Sequence, residues 1–379
     1  MSRLLPLPLI LALLTATAFA AEPPAEWVAA GEKRREQIPL GGDFKPSPKV
    51  PVLVAVGHGA RIVLSRDDGK TWTQVFFGYP GADHGGWATN SVAYTGGVFA
   101  VPVGWTQPTS WLASDDGVNW RHMTNGKTPL GDKAHPDQMP TTLAMAAGKG
   151  VFVGGGYMNF TATPDFGQSW SNFSLYKLPA DPRGKPVTHH IRTIYCGDAS
   201  GRFLALGDNR GTDGPKFGHL FASDDLGKTW QWLAPKGLDA STGRGTLASN
   251  GKQLLMTDAG GENAWRSLDA GNTWTGPFPT GSKRNTLSVV KGEFWLIGTP
   301  SRASADGQTW RDLPAAIPAG QIVASDKGTL ISISGSRFNI QRSTDEGKTW
   351  TEVFTFQPET ENVHGGQGLR DVAAGVVRE

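Results

Sequence analysis

The sequence predicts an all-β fold, a seven-bladed β-propeller whose ring is closed by the C-terminal strand. Three observations predict it. A phrase related to STDEGKTW recurs seven times; the stretches between its copies read as short apolar strands broken by glycine turns; and a strand missing from the first blade is found at the end of the chain. The 50 glycines and 14 tryptophans suit this architecture, which needs many tight turns and large buried rings.

In chain order, residues 1–20 read as an export signal: Arg3, the apolar run LLPLPLILALL, and Ala18-Phe19-Ala20 ahead of Ala21. The run is too short to span a bilayer, and no cysteine follows it to carry a lipid. A secreted or periplasmic protein without a membrane anchor is therefore expected. Residues 21–49 are rich in proline and charge, lack any blade pattern, and read as an extended arm or linker. The propeller is expected over residues 50–379.

The phrases are SRDDGKTW (Ser65 to Trp72), SDDGVNW (Ser114 to Trp120), TPDFGQSW (Thr163 to Trp170), SDDLGKTW (Ser223 to Trp230), SLDAGNTW (Ser267 to Trp274), SADGQTW (Ser304 to Trp310) and STDEGKTW (Ser343 to Trp350). Their tryptophans lie 36 to 60 residues apart, the span of one four-stranded blade. Stretches such as TTLAMAAGKGVFVGGG and NTLSVVKGEFWLIGT supply a first and a second strand around a glycine turn. A third strand enters the phrase and a fourth leaves it. The phrase is then a hairpin turn in which the serine or threonine and the aspartate accept backbone N–H groups, glycine takes the positive φ, and tryptophan is buried between blades. The second and sixth copies have lost one residue before the glycine.

The first blade lacks an innermost strand, because PVLVAVG already reads as a second strand and ARIVLS as a third. LRDVAAGVVRE, Leu369 to Glu379, has the first-strand pattern of SVAYTGGVF and is expected to complete that blade.

The form S-x-D-x-G-x-T-W resembles the Asp-box, or BNR repeat, of sialidase-like β-propellers, and the resemblance covers nearly the whole chain after residue 20. It implies that the phrases occupy the rim opposite an active face, so that Asp67, Asp165, Asp225, Asp269 and Asp345 are not catalytic. It also spans sialidases, other glycan hydrolases, receptors and an assembly factor. Sialidases of this family use an arginine triad, a tyrosine nucleophile with a glutamate, and an aspartate acid. Here Arg61 stands only four residues before Ser65, inside the strand feeding the phrase, and seven phrases imply seven blades, not six.

Formal charge is +2 with scattered basic residues, which argues against nucleic acid or an anionic membrane as partner. Cys196, the single cysteine, lies in the apolar run IYCG and reads as a small core residue. Seven of the eight histidines fall in loops of the face opposite the phrases, and only His122 falls elsewhere. None has H-x-H or H-E-x-x-H spacing, so no metal and no cofactor is expected.

Arg192, Arg244, Arg284 and Arg370 each stand at the entrance of an innermost strand, where the entrances converge on the axis. They read either as an anion-binding mouth or as ties to carboxylates such as Asp371 and Asp239. Lyase chemistry on a uronate needs a histidine or tyrosine base and a cation for the carboxylate, roles open to His84, His190, Tyr157 and Arg192. Hydrolysis needs two carboxylates close together, for which Asp83, Asp208, Asp258 and Glu262 are available. The candidate catalytic set is thus His84, His190, Tyr157, Asp208 and Glu262. The candidate substrate-binding set is the four arginines with Trp87 and Trp105 from loops of the same face. The expected partner is an anionic carbohydrate, the expected state a monomer, and the alternative a propeller that binds a glycan or protein without turning it over.

Overall fold

The computed structural model describes residues 33, 37–41, 43–78, 91–104, 109–124, 128–130, 139–178, 189–197, 201–209, 219–233, 236–238, 245–258, 260–283, 286–333, 338–355 and 368–379. They form seven four-stranded antiparallel sheets, the blades of a propeller. The innermost strands are Leu369–Val377 in blade one, then Ala93–Thr95, Ala144–Gly148, His189–Gly197, Leu247–Ser249, Thr286–Val290 and Ile322–Ala324 in blades two to seven. Each packs beside the next, and the seventh beside the first, so the ring is continuous.

Closure follows the expected scheme. Val50–Gly57, the second strand of blade one, pairs with Arg61–Ser65 on one side and with Leu369–Val377 on the other, from Val50 opposite Val377 to Gly57 opposite Leu369. Alternation of side chains along this strand divides its burial between two cores. Val52, Val54 and Val56 face blade two, with Val101, Leu112 and Trp120, whereas Leu53 and Ala55 face blade seven, with Ile331, Ile333 and Ile340. Arg378, just past the last strand, bridges Asp115 at 3.1 Å and Asp116 at 2.8 Å in the phrase of blade two.

The described part of the arm is bound to blade two. Ile38 and Phe44 are buried, the His122 N–H donates to the Pro39 carbonyl at 2.9 Å, and the Gly41 N–H donates to that of Thr124 at 3.1 Å. Phe44 lies 4.1 Å beneath the guanidinium of Arg121. The outermost strand, Arg121–His122, is thereby shielded from pairing with another chain.

Each phrase is a closed set of hydrogen bonds. In blade seven the Ser343 hydroxyl donates to Asp345 at 2.8 Å and accepts the Gly347 N–H at 2.9 Å. The Asp345 carboxylate also accepts the Thr349 N–H at 2.9 Å and its hydroxyl at 2.6 Å. These bonds from Thr349 and Ser343 pull the Asp345 carboxyl down to about 2. A carboxylate so occupied cannot serve as a base. In the longer copies both the glycine and the residue before it have positive φ, as with Leu226 at 60° and Gly227 at 84°. The shorter copies of blades two and six lack that preceding residue, so only their glycine is left-handed.

The phrase tryptophan inserts toward the preceding blade. Trp230 of blade four stacks on Phe160 of blade three with centroids 3.6 Å apart, and Trp170 of blade three meets Trp111 of blade two edge-on at 5.3 Å. Trp72 joins the core shared with blade seven, and Trp274 the core shared with blade four. Arginines reinforce the same contacts: Arg342 of blade seven holds Asp68 of blade one at 2.9 Å, and Arg66 of blade one donates to the Asp116 carbonyl of blade two.

Removing Leu369 to Glu379 should therefore expose two blade interfaces and destabilise the whole ring, which calorimetry would register as a lower and broader transition. An unchanged melting profile would contradict the closure scheme. Trp230→Ala should cost about 3 to 5 kcal/mol in denaturant unfolding, the range for a deleted core aromatic. A cost below about 1 kcal/mol would show that the ring does not wedge the blades.

Candidate functional site

In an antiparallel blade the turn from third to fourth strand and the turn from first to second share one end. Loops joining second to third strands, and blade to blade, share the other. The described candidates His190, Tyr157 and Arg370 therefore belong to the face opposite the phrases.

At the junction of blades three and four, His190 lies second in the innermost strand His189–Gly197. Its backbone faces Asp208 across the sheet and forms an isolated bridge with Tyr157, from the second-to-third loop of blade three. The Tyr157 and His190 rings are 4.3 Å apart at 58°. The Ile191 N–H donates to the Gly156 carbonyl at 3.0 Å, and Gly156 itself is pressed so close to the Thr141 carbonyl that a Cβ there would lie 1.6 Å from it. Backbone contacts from two blades thus pin the loop carrying Tyr157 against the strand carrying His190.

The ladder also slips at two of the arginines. Ile191 pairs with Gly207 and Thr193 with Leu206, which makes Arg192 the extra residue of a β-bulge. In blade one Val56 pairs with Asp371 and Gly57 with Leu369, which leaves Arg370 as the extra residue at the matching place. A bulge turns its residue out of the regular alternation and re-aims the side chain, and bulges recur beside active sites for that reason. The guanidinium of Arg370 meets Nε2 of His58, in the second-to-third loop of blade one. The side chain of Arg192 lies outside the described residues, as does that of Asp208.

Asp371, next to Arg370, was a candidate partner for a strand-entrance arginine. The structure joins it to other groups: it accepts the Val92 N–H of blade two at 2.8 Å, the Val372 N–H at 2.8 Å, and the Gln321 side chain of blade seven. It ties blades seven, one and two at the seam. Burial drives its carboxyl up from the ordinary 3.8 to about 6, against the pull of those three donors. Arginine ties between blades do occur, but on the phrase-bearing face, through Arg66, Arg266 and Arg342.

Other candidates are not drawn in. Glu262 pairs with Lys283 at 2.8 Å on an exposed rim, and that bond raises the lysine. Asp258 holds its own loop, accepting the Glu262 N–H at 2.9 Å and the Asn263 side chain at 2.7 Å. Arg61 is buried against the Phe77 ring at 4.5 Å and contacts Gln74, a packing role on the third strand. Cys196 is buried and forms no disulfide. His84, Trp87, Trp105, Arg244 and Arg284 lie outside the described residues. Among the described residues no three histidine, cysteine, aspartate or glutamate side chains come close enough to hold a metal, and no helix is long and apolar enough to cross a membrane.

Solved structures with the same architecture include a protein from Lactobacillus plantarum, 12% identical over 86% of this chain and 99% of that one, with a TM-score of 0.55. Putative 6-phosphogluconolactonases from Bacteroides fragilis and Bacteroides uniformis match at 10% identity and TM-scores of 0.51 and 0.52. They cover 88% and 87% of this chain and all of their own. At such identities the likeness is one of fold: the protein is a seven-bladed β-propeller. No protein-family model and no curated protein sequence matches the chain.

The Asp371 carboxyl gives the seam a pH dependence of known sign. Its folded value is raised, so the folded protein binds a proton between about 6 and 3.8 that the unfolded chain does not. Stability should rise as pH falls through that window and be lost as pH rises through about 6. From about pH 7.5 to 5 the gain should be about 1 kcal/mol in denaturant unfolding, and Asp371→Asn should abolish it. Parallel curves for wild type and variant would show that the carboxyl ionises as freely in the fold as outside it.

Proposed function

We infer that this protein is an exported, carbohydrate-active propeller of the Asp-box kind that cleaves an anionic glycan at the face opposite the phrases. The observation that carries the reading is the Tyr157–His190 ring contact, with His190 two residues before the bulge at Arg192 in the same strand. A tyrosine and a histidine in contact can divide acid and base work, and an arginine two residues further along the same strand offers a cation for a substrate carboxylate.

Of the two cleavage chemistries, elimination fits these residues better than hydrolysis. Hydrolysis needs two carboxyl groups a few ångströms apart. Among the candidate carboxylates whose side chains are described, Glu262 is engaged by Lys283, Asp258 by its own loop, and Asp371 by the seam. In the elimination, His190 takes the proton from the sugar carbon bearing the carboxylate, and that electron pair forms a carbon–carbon double bond as the adjacent C–O bond breaks. Tyr157 gives its proton to the leaving oxygen. Proton return from His190 to Tyr157, directly or through water, restores the starting state.

The test is a panel of uronate-containing and sialylated glycans, read both for new reducing ends and for the absorbance of unsaturated sugars. Unsaturated products are expected, with His190→Ala and Tyr157→Phe each slowing their release about 10²- to 10⁴-fold while the folded fraction is preserved. Reducing ends without absorbance would point to hydrolysis. Binding without product would leave a glycan-binding module, and neither binding nor product on any uronate would overturn the assignment.

A further inference from the structure

At the phrase-bearing end of the ring the turns between first and second strands touch from blade to blade. The Gly150 N–H of blade three donates to the Thr95 hydroxyl of blade two at 3.0 Å, and the Asn250 side chain of blade five donates to the Gly292 carbonyl of blade six at 3.0 Å. The stem of Lys149 in blade three lies 3.3 Å from where Gly201 of blade four would carry a Cβ, and that of Lys291 in blade six 3.2 Å from the same point on Gly328 of blade seven. The turn of blade seven has no turn to meet in blade one, because the two inner strands of that blade are not joined by a hairpin. A cleft of about 370 Å³ opens there, at the lower end of the range for small-molecule sites.

One wall of the cleft is the closing ladder. Leu53 pairs with Ala374 and Pro51 with Val376, so these four share a face, and Leu53 sets that face toward blade seven. Leu53 also stands opposite Ser65, the last residue of the third strand, and beyond it the ladder runs on past that strand. Pro51 and Ala374 are exposed and Val376 is half-buried. The other face of the ladder is covered, since a Cβ on Gly375 would lie 2.5 Å from the Tyr94 ring of blade two.

The second wall is Ala324 and the turn after it, closed by the Gly328 N–H on the Ser325 carbonyl at 3.0 Å. Four charged residues line the cleft, Arg66, Asp68, Asp326 and Lys327. Two of them are committed: Asp68 to Ser325, Thr329 and Arg342 of blade seven, and Arg66 to the Asp116 carbonyl of blade two. Asp326 and Lys327 are exposed, and their side chains have no partner among the described residues. One carboxylate and one ammonium thus stand side by side at the edge of an apolar wall.

We propose that this cleft binds a short apolar peptide with free termini, its carboxylate on Lys327, its ammonium on Asp326 and its side chains against Pro51, Ala374 and Val376. Charge decides the class. An anion is drawn to Lys327 and repelled by Asp326, and a cation meets the reverse, whereas a zwitterion satisfies both. Two extended residues span about 7 Å, a separation that neighbouring side chains on one turn can bracket. The aliphatic wall then removes the peptide's apolar side chains from water. The site lies at the end of the ring opposite Tyr157 and His190 and does not depend on the glycan reading.

Calorimetry of the full chain with the dipeptide alanyl-leucine tests this, with its N-acetylated and C-amidated forms as controls at matched ionic strength. The free dipeptide should bind, and each capped form, having lost one charge-assisted pair, should bind more weakly by about tenfold or more. Asp326→Ala should weaken the free dipeptide to the same extent and leave the affinity for the acetylated form unchanged. Lys327→Ala should do the same with respect to the amidated form. Ala374→Leu, which fills the cleft from an exposed position, should abolish binding with melting as in wild type.

Absence of binding by the free dipeptide, equal affinity for free and capped forms, or undiminished binding by Ala374→Leu overturns the proposal. If Ala374→Leu fails to fold, the two charge variants, altered only at exposed side chains, decide the matter by themselves.

Discussion

A ring of sheets has no free edge only when its first and last strands share a blade, and here that condition rests on the ladder between Val50–Gly57 and Leu369–Val377. Its stabilisation is not local. The second strand sends alternate side chains into the cores of blades two and seven, so pairing the chain's two ends also completes both flanking interfaces. Asp371 and Arg378 then fasten opposite ends of the closing strand, the first to Val92 and Gln321, the second to the phrase of blade two. Loop-closure entropy for so long a chain is large, and it is offset by two whole interfaces rather than by one ladder.

The repeated phrase explains why the remaining interfaces resemble one another. Its polar atoms satisfy each other inside the turn, which leaves the tryptophan as the group that reaches out, and the apolar surface it meets belongs to the preceding blade. A turn that is internally saturated tolerates variation between its fixed positions. The strands and loops of the opposite face are therefore free to differ from blade to blade without weakening the stack. That division is what allows a ring of similar blades to carry dissimilar groups such as Tyr157, His190, Arg370 and His58 on one side.

The two described strand-entrance bulges show how the scaffold supports such groups. At Arg192 and at Arg370 one residue is extruded from an otherwise regular ladder, at matching places in blades four and one. The pairing on either side continues, so the extruded residue costs little order. Tyr157 is placed by similar means, through the close approach of Gly156 to Thr141 and the Ile191 bond to its carbonyl. Backbone contacts between blades, rather than side-chain packing, hold these positions.

The number of blades, the turn at each phrase and the closing role of Leu369 to Glu379 were legible in the sequence, because each is a local pattern repeated with enough copies to be read against itself. The sequence also named Tyr157, His190 and Arg370 as members of one face, since strand order alone decides which end of a blade a loop occupies. It did not reveal that Tyr157 touches His190, that Asp371 joins three blades, or that Arg370 leans on His58. Those contacts depend on register at the bulges and on the approach of one blade to the next, and both are set by cores built from residues far apart in the chain. A one-residue slip in a ladder leaves the composition and periodicity of a strand untouched and reverses where its side chains go, so only the assembled ring determines which of the polar residues on this face meet.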